Sequence, residues 1–265
     1  MIKLSVIMSC YNAEKFVDDA IRSILNQTYK NIEFIIINDG SNDKTLDIIS
    51  NYSIIDDRII VINHSNKGLT KSLNIGINKA TGDFIARMDA DDISMPDRFM
   101  NFISFLKKNK AVDIYTTPAY NINSSGVVYR LIPNYLRRNG FHNKMLNYYN
   151  SLIHGTLIIR ATVFKKYRYN EEYRYSQDSE LYQRLLKDNH NLSYDKNNIS
   201  YKVRVHSNQV TNKHSSEQIE CSKAVFRNNN NKYYKRNLKN KLFVFFFNDF
   251  FLYLKVKIGW NEKTS

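Results

Sequence analysis

The 265-residue chain contains few cysteines and no segment with the layout of an export leader or a membrane span. Its two cysteines, Cys10 and Cys221, lie far apart without a partner spacing, which argues against a disulfide framework or a zinc knuckle and favours a reducing cytosol. The first residues lead directly into a short strand rather than into a signal peptide. The apolar stretch at 242–258 is interrupted by polar residues, so it falls short of the ~20 apolar residues of a spanning helix. We therefore expect a cytoplasmic protein.

Acidic side chains are outnumbered by basic ones. The chain has 39 lysines and arginines against 25 aspartates and glutamates, a net charge of +14. Such an excess predicts attraction to a polyanion, which includes nucleic acid, an anionic membrane and phosphorylated ligands. The positive charge accumulates after residue 213 while the loops at strand ends are acidic, which disfavours a nucleic-acid-binding face. With 43% hydrophobic residues, the chain can form one large domain with a tail.

Unbroken apolar runs alternate with helical patterns through the first half of the chain. We predict strands at 4–9, 34–37, 59–62 and 84–88, and helices at 16–25, 45–52 and 69–80. Strands of this kind are buried on both faces, which implies an α/β fold with a mostly parallel, Rossmann-like sheet flanked by helices. Ligands then gather where the carboxyl ends of strands meet the amino ends of helices.

The second half of the chain is less regular. Ser94 has the pattern of a cap for a helix over 98–108, and a hairpin-like excursion is predicted over 119–135. A strand follows His154-Gly155-Thr156, and Asp178 falls in the first turn of a later helix. Further elements are a helix at 161–167 and strands at 112–116, 192–194 and 201–205. We therefore expect a mixed second half.

Three carboxylates, Asp89, Asp91 and Asp92, follow the strand at 84–88. Two aspartates one residue apart, on chain that leaves a strand, can share one hard cation and leave its other positions to phosphate oxygens of a substrate. A solvated turn or a helix cap would use the same residues. The acidic turn therefore indicates a metal-bound nucleotide only in combination with its surroundings.

Four blocks together resemble the inverting, metal-dependent glycosyltransferases of family 2, which have the GT-A fold. They are residues 5–12 at the first strand, 37–41 at the second, the segment Asn66-x-Gly68-Leu69 to Asn74-x-Gly76, and residues 87–92. A later Gln177-Asp178 resembles the block that carries the family's catalytic carboxylate. The resemblance covers most of residues 3–210. It implies a GT-A domain at 1–215, with a nucleotide-binding half at 1–118 and an acceptor-binding half at 119–215. A basic, phenylalanine-rich helical tail at 216–265 lies outside the match.

The resemblance also implies roles for individual residues. Asp91 and Asp89 would hold Mn²⁺ or Mg²⁺, with His206 as a further ligand, because a divalent ion neutralises the charge that develops on a pyrophosphate leaving group. Asp178 would take the proton of the attacking acceptor hydroxyl. The residues expected to bind a UDP-sugar donor are Tyr11, Asp39 at the uracil, Asn66, Lys67, Arg87, Asp89 and Arg204.

The chain departs from the family pattern at two positions, and several assignments keep a structural alternative. Leu73 stands where many relatives carry arginine, and Gln177 stands where glutamate is common. Asp178 would also serve as a complement to the helix dipole, and Asp39 as a turn residue. Tyr11 keeps the alternative of a packed loop aromatic, and His206 that of a structural histidine. His154 is either a structural histidine or a residue on the acceptor side of the site.

The expected function is transfer of a hexose from a UDP-sugar to a glycan or lipid-linked acceptor, with inversion, in surface polysaccharide synthesis. One alternative is a nucleotidyltransferase, which would generally carry a glycine-rich phosphate loop after the first strand, and residues 10–14 contain no glycine. A nucleic-acid-binding protein is a weaker alternative. The basic, aromatic tail predicts peripheral binding to the anionic inner face of the cell membrane, and its packing on the catalytic domain is the other possibility.

Overall fold

A computed structural model describes residues 1–132, 152–207, 209, 217–218, 220–222 and 224–225. The chain divides into two compact units, Met1–Ser222 and Lys223–Ser265. The described residues belong almost entirely to the first unit. The tail predicted at 216–265 lies almost wholly outside the described residues, so its boundary and its helical structure stay predictions. Among the described residues, no helix has the length and hydrophobicity needed to cross a membrane.

The elements follow the predicted order. The first half consists of β1 (Leu4–Cys10), α1 (Val17–Leu25), β2 (Ile32–Asp39), α2 (Thr45–Ile55), β3 (Ile59–His64), α3 (Leu69–Lys79) and β4 (Phe84–Asp89). The second half begins with β5 (Ile93–Ser94), α4 (Arg98–Lys108), β6 (Ile114–Thr116), β7 (Ala119–Ile122) and β8 (Val128–Ile132). A 3₁₀ turn (His154–Thr156), β9 (Ile158–Arg160), α5 (Ala161–Tyr167), α6 (Gln177–Lys187), β10 (Leu192–Tyr194) and β11 (Tyr201–Arg204) complete the described elements.

The main sheet has seven strands in the order β10-β6-β9-β4-β1-β2-β3. All neighbouring pairs are parallel except those of β9, which runs antiparallel to β4 and to β6. A second sheet, ordered β5-β11-β7-β8, lies within the mixed half and contains the predicted hairpin as β7 and β8. The prediction of a mostly parallel sheet with a mixed second half is confirmed.

Alternation along the strands divides the core into two faces. Val6 and Met8 of β1 belong to the cluster that contains the buried residues of α1 and α4. Ile7 and Ile85 belong to the opposite cluster, with residues of α3, α5 and α6. Arg87 follows Ile85 by two residues, so its side chain emerges on the face covered by α3, α5 and α6. The sheet is therefore covered by helices on both faces, as predicted.

The prediction that Ser94 caps α4 is wrong. Ser94 lies in β5, where it pairs with Tyr201 of β11, and its hydroxyl accepts a hydrogen bond from Gln27 at 3.1 Å. The residue that precedes α4 is Asp97, and it makes no side-chain cap hydrogen bond. A strand pairing across more than 100 residues therefore overrides the local capping signal.

A buried carboxylate ties the amino ends of the central strands together. Glu33 of β2 accepts hydrogen bonds from Lys3 Nζ at 2.8 Å, Ser5 Oγ at 2.5 Å and Thr81 Oγ1 at 2.7 Å. Burial raises the pKa of Glu33, but these hydrogen bonds outweigh burial and lower the pKa to about 2. The carboxylate is therefore more acidic in the folded protein than in the unfolded chain.

We expect Glu33 to make stability depend on pH in the acidic range. Its stabilisation is fully present above the unfolded-state pKa of 4.5 and is lost as the pH falls through the folded-state pKa of about 2. Urea denaturation between about pH 5 and about pH 3 should show a drop that is about 1–2 kcal/mol smaller in Glu33→Gln than in wild type. The exposed Glu172→Gln is the control, and an equal drop in wild type and Glu33→Gln would contradict the assignment.

Candidate active site

The predicted nucleotide residues meet at the carboxyl end of β2. The Asp39 carboxylate is buried and accepts the backbone N–H groups of Lys67 at 2.7 Å and Gly68 at 3.0 Å. The loop after β3 passes so close that a Cβ on Gly40, whose φ is +71°, would lie 2.5 Å from the backbone nitrogen of Asn66. The structure therefore brings Asp39, Asn66 and Lys67 together, with the side chains of Asn66 and Lys67 exposed.

The loop after β1 is attached to the loop after β2. Asn12, at a φ of 49°, accepts the backbone N–H of Asn42 through Oδ1 at 2.8 Å, and its own N–H donates to Ser41 Oγ at 3.0 Å. The N–H of Ala13 donates to Thr45 Oγ1 at 2.8 Å. The side chain of the preceding Tyr11 is 52% exposed at this edge of the sheet. Tyr11 is therefore held beside the loop that carries Asp39 and is open to a ligand.

The three carboxylates of the acidic turn have different surroundings. Asp92 is buried, and its Oδ1 accepts the backbone N–H of Arg204 at 2.8 Å. The side chains of Asp89 and Asp91 remain 32% and 28% exposed, and Asp91 Oδ2 lies 2.9 Å from His206 Nε2. Asp92 therefore anchors the turn to β11, while Asp89 and Asp91 reach solvent.

The donor set of the turn suits a hard divalent cation. Burial and the charge of Asp89 raise the pKa of Asp91, and the hydrogen bond with His206 opposes this shift. Carboxylate oxygens with an imidazole are ligands that Mn²⁺ or Mg²⁺ accepts, and a cation would relieve the repulsion between the carboxylates. Within the described part of the chain, no three His, Cys, Asp or Glu side chains form a ready metal cage. Asp89, Asp91 and His206 thus offer an incomplete set of ligands.

Arg204, predicted to contact the nucleotide sugar, is only 1% exposed. Its Nε donates to the Asp91 carbonyl at 2.8 Å, Nη1 to the Ser124 carbonyl at 2.9 Å, and Nη2 to Asp19 Oδ2 at 2.9 Å. The guanidinium also lies over the Phe16 ring, 4.7 Å from its centroid. This geometry favours a positioning role, in which Arg204 holds the acidic turn, over direct contact with a ligand.

A second buried arginine, Arg98, holds the backbone next to the acidic turn. Its role was not predicted from the sequence. Arg98 Nη2 donates to the carbonyls of Arg87 at 2.9 Å and Gly155 at 2.8 Å, and its guanidinium lies 5.1 Å from the Tyr201 ring. Tyr201 in turn accepts the Asp89 N–H at 3.0 Å. Burial lowers the pKa of Arg98 to about 10. One feature of the sequence could have identified Arg98 as buried: it lies four residues before Phe102, on the apolar stripe of its helix.

Gly155 is required by this arrangement. A Cβ at position 155 would lie 2.4 Å from the Tyr201 ring, which is rigid and fully buried. The 3₁₀ turn that carries Gly155 also carries His154, so close packing of this turn on Tyr201 fixes the position of the histidine. The sequence marked Gly155 only as part of a short motif.

Asp178 lies in the first turn of α6, on the same face of the sheet as Arg87 and Asp89. It is half-buried, and its Oδ1 accepts the N–H of Ser179 at 2.8 Å. Burial and the charge of Arg87 lower the pKa of His154 to about 4, while the charges of Asp89 and Asp178 oppose this shift. Because residues of α6 also pack in one buried cluster with Ile85 of β4, the predicted base and the predicted metal-binding turn lie on the same side of the sheet.

Solved glycosyltransferase structures share this fold. Staphylococcus aureus TarS 1-349 in complex with UDP-GlcNAc matches with a TM-score of 0.69 at 18% identity, covering 84% of this chain and 65% of the TarS chain. The mannosyltransferase PcManGT from Pyrobaculum calidifontis, in complex with GDP-Man and Mn²⁺, matches with a TM-score of 0.60 at 14% identity, over 78% of this chain and 58% of that chain. The chain thus spans less than two thirds of each of these chains, and the predicted GT-A fold is confirmed.

Sequence comparison identifies the family. The model described as "Glycosyl transferase family 2" matches residues 5–168. An uncharacterized glycosyltransferase of Haemophilus influenzae is 35% identical over 237 residues, which cover 85% of this chain and 72% of that protein. The O-antigen biosynthesis glycosyltransferase WbnJ of Escherichia coli is 32% identical over 228 residues, 84% of this chain and 87% of that protein. The chain belongs to glycosyl transferase family 2, which confirms the predicted family.

Proposed function

We propose that the protein transfers a hexose from a UDP-sugar to a glycan or a lipid-linked saccharide, with inversion, in the synthesis of a surface polysaccharide. The observation that carries this proposal is the convergence of Asp89, Asp91 and Asp178 at one site at the sheet edge. The name of WbnJ supports a role in polysaccharide synthesis. The TarS complexes with UDP and UDP-GlcNAc support a UDP-sugar donor, although these relatives are similar only in fold.

The donor nucleotide lies, in this proposal, over the loops after β1, β2 and β3. Tyr11 offers an exposed ring to the base. The Asp39 carboxylate accepts two backbone N–H groups, but each of its oxygens has a second lone pair, which leaves capacity for a uracil N–H. Asn66 and Lys67 are exposed beside it, and the Lys67 ammonium is a suitable partner for a phosphate.

Asp91, Asp89 and His206 would hold Mn²⁺ or Mg²⁺ beside the pyrophosphate. When bound, such an ion stabilises the negative charge that develops on the leaving UDP. The chain's own part is to hold these ligands in place: Arg204 fixes the Asp91 carbonyl, and the Asp92 carboxylate fixes the β11 backbone. Arg87 neutralises Asp89 from the buried side through a 2.5 Å hydrogen bond.

Asp178 is the proposed general base. Inversion requires the acceptor hydroxyl to attack the anomeric carbon from the face opposite the leaving UDP, and a carboxylate must take its proton as the bond forms. Asp178 lies in the first turn of α6, a helix that packs on the face of the sheet from which the Arg87 side chain emerges. The buried Gln177 carries no charge, so the preceding position supplies no second acid or base.

Nucleotide binding tests the donor assignment. Calorimetric titration of the purified chain with UDP, GDP and CDP in the presence of Mn²⁺ should show a clear preference for UDP. Chelation of the metal with EDTA should weaken UDP binding. Equal affinity for the three nucleotides would contradict a UDP-sugar donor, and affinity that is indifferent to EDTA would contradict the metal assignment.

The tail at 216–265 is the proposed membrane contact, because of its sequence. Five basic residues precede its phenylalanine-rich run: Lys232, Lys235, Arg236, Lys239 and Lys241. A basic side chain near an anionic surface contributes about 1 kcal/mol, and aromatic side chains bury in the headgroup boundary. A peripheral attachment on the cytoplasmic face would hold the site beside a lipid-linked acceptor.

We expect the intact chain to float with anionic vesicles, to be released by high salt, and to ignore neutral vesicles, because the attraction is mainly electrostatic. Deletion of residues 232–265 should abolish flotation while UDP binding survives. Loss of the folded state on this deletion, or failure of the intact chain to bind anionic vesicles, would show instead that the tail packs on the protein.

A further inference from the structure

A cluster of buried polar side chains lies on the side of the sheet that carries Asp89 and Asp178. Arg87 of β4, Tyr169 in the loop after α5 and Tyr182 of α6 are each at most 3% exposed, and His154 is half-buried. The Tyr169 hydroxyl and His154 Nε2 are 2.6 Å apart. Asn74 fixes the backbone of Tyr169 through two hydrogen bonds, at 3.0 Å to its N–H and 2.9 Å to its carbonyl. The cluster is therefore built into the fold rather than loosely placed.

Three donors of this cluster have no hydrogen-bond partner. Arg87 donates through Nη2 to Asp89, but its Nε and Nη1 are unpartnered, and so is the hydroxyl of Tyr182, among the residues that the structure describes. A buried polar group without a partner is destabilising, and such groups are rare in native proteins. Arg87 and Tyr182 lie on the side of the sheet that carries Asp89 and Asp178, so a ligand bound at the proposed reaction centre is one group that would complete their hydrogen bonds.

Tyr182, whose hydroxyl is unpartnered among the described residues, lies on the same helix as the proposed base. Tyr182 follows Asp178 by four residues, so the two side chains share one face of α6. Burial raises the pKa of Tyr182, and the charges of Asp178 and Asp89 raise it further. The helix geometry places Tyr182 one turn from the proposed base, in the buried cluster that also contains Ile85 of β4.

The base and the pyrophosphate of the donor have proposed partners of their own, Asp39 and Asp89. Asp39 ends β2 and Asp89 ends β4, and both strands flank β1 in the sheet. The two strands are therefore two strand spacings, about 10 Å, apart at this edge of the sheet. With the base beside Asp39 and the pyrophosphate beside Asp89, the sugar would lie on the far side of Asp89, next to its buried partner Arg87.

We infer that the Tyr182 hydroxyl and the free N–H groups of Arg87 bind hydroxyl groups of the transferred sugar, which makes Tyr182 a residue that selects the donor sugar. This inference rests on the proposed function. A sugar hydroxyl is both a donor and an acceptor, so it can accept from the guanidinium and exchange a hydrogen bond with the phenol. A site built in this way discriminates strongly against sugars that lack the matching hydroxyl.

The test compares UDP with UDP-sugars on Tyr182→Phe, which removes one oxygen and keeps the ring. Calorimetric titration with UDP-glucose, UDP-galactose and UDP-GlcNAc identifies the sugar that wild type binds best. Affinity for that UDP-sugar should fall about five- to ten-fold in the variant, and affinity for UDP should stay unchanged. The melting temperature should rise or stay constant, because the hydroxyl has no partner within the described part of the chain.

Tyr115→Phe is the matched control. Tyr115 is equally buried, but its hydroxyl donates to Asp195 at 3.1 Å. Its removal should lower the melting temperature and leave both affinities unchanged. If Tyr182→Phe keeps the wild-type ratio of UDP-sugar to UDP affinity, the hydroxyl is satisfied by water and the inference is overturned. A wild-type chain that binds no UDP-sugar overturns the proposed function itself and the inference with it.

Discussion

Replacement of Asp178 by asparagine is expected to lower turnover about 10²- to 10⁴-fold, with UDP-sugar affinity close to that of wild type. Asparagine keeps the size and the acceptor oxygen that receives the Ser179 N–H, but it cannot take a proton from the acceptor hydroxyl. The measurement is steady-state release of UDP in the presence of acceptor, together with titration of the UDP-sugar.

The control for this variant is Asp188→Asn at the opposite end of α6, an exposed carboxylate that accepts the Tyr167 hydroxyl at 2.5 Å. Its turnover should match that of wild type, because it lies a full helix length from the reaction centre. Ordinary turnover in Asp178→Asn would mean that the base is another group, and Asp178 would then serve only the amino end of the helix.

Replacement of Asp91 by asparagine should lower turnover by about 10²-fold or more and weaken Mn²⁺-dependent UDP binding. The change removes one negative ligand and leaves the turn in place, because the Asp91 carbonyl still accepts from Arg204. The melting temperature should stay near that of wild type, since the lost charge relieves repulsion with Asp89. Turnover and UDP titration at several Mn²⁺ concentrations check these expectations.

The neighbouring variant Asp92→Asn tests whether Asp92 anchors the backbone instead of binding the metal. An asparagine at this position still offers an oxygen to the Arg204 N–H, and the buried Asp92 does not reach solvent. We expect this variant to keep its dependence on Mn²⁺. A loss of metal dependence in Asp92→Asn equal to that in Asp91→Asn would contradict the distinct roles of the two carboxylates.

The sequence predicted those parts of the molecule that local patterns determine. Apolar runs and helical periodicity gave the order of strands and helices, and the position of Asp89 and Asp91 after a buried strand indicated the candidate site. The family pattern at Asn74-x-Gly76 has a packing cause in the structure: Asn74 holds the backbone of Tyr169, and a Cβ on Gly76 would lie 2.9 Å from Ile37.

The supports of the site could not be predicted, because they depend on pairings distant in sequence. Arg204 reaches Asp19 across 185 residues, and Tyr201 reaches the Asp89 backbone across 112. The antiparallel pairing of β5 with β11 removes Ser94 from its predicted capping position. No local pattern distinguishes the anchor Asp92 from the accessible Asp91, since only the register of β11 against the acidic turn makes them different.

The central claim is that this chain turns over a UDP-sugar at the site formed by Asp89, Asp91 and Asp178. The most direct measurement incubates the purified protein with a panel of UDP-, GDP- and CDP-hexoses and Mn²⁺ and follows release of the nucleotide by mass spectrometry. Our account predicts release of UDP from at least one UDP-hexose, stopped by EDTA and absent in Asp91→Asn. Release from a GDP- or CDP-hexose with no UDP-hexose turned over, or release of UDP that survives in Asp91→Asn, would contradict it.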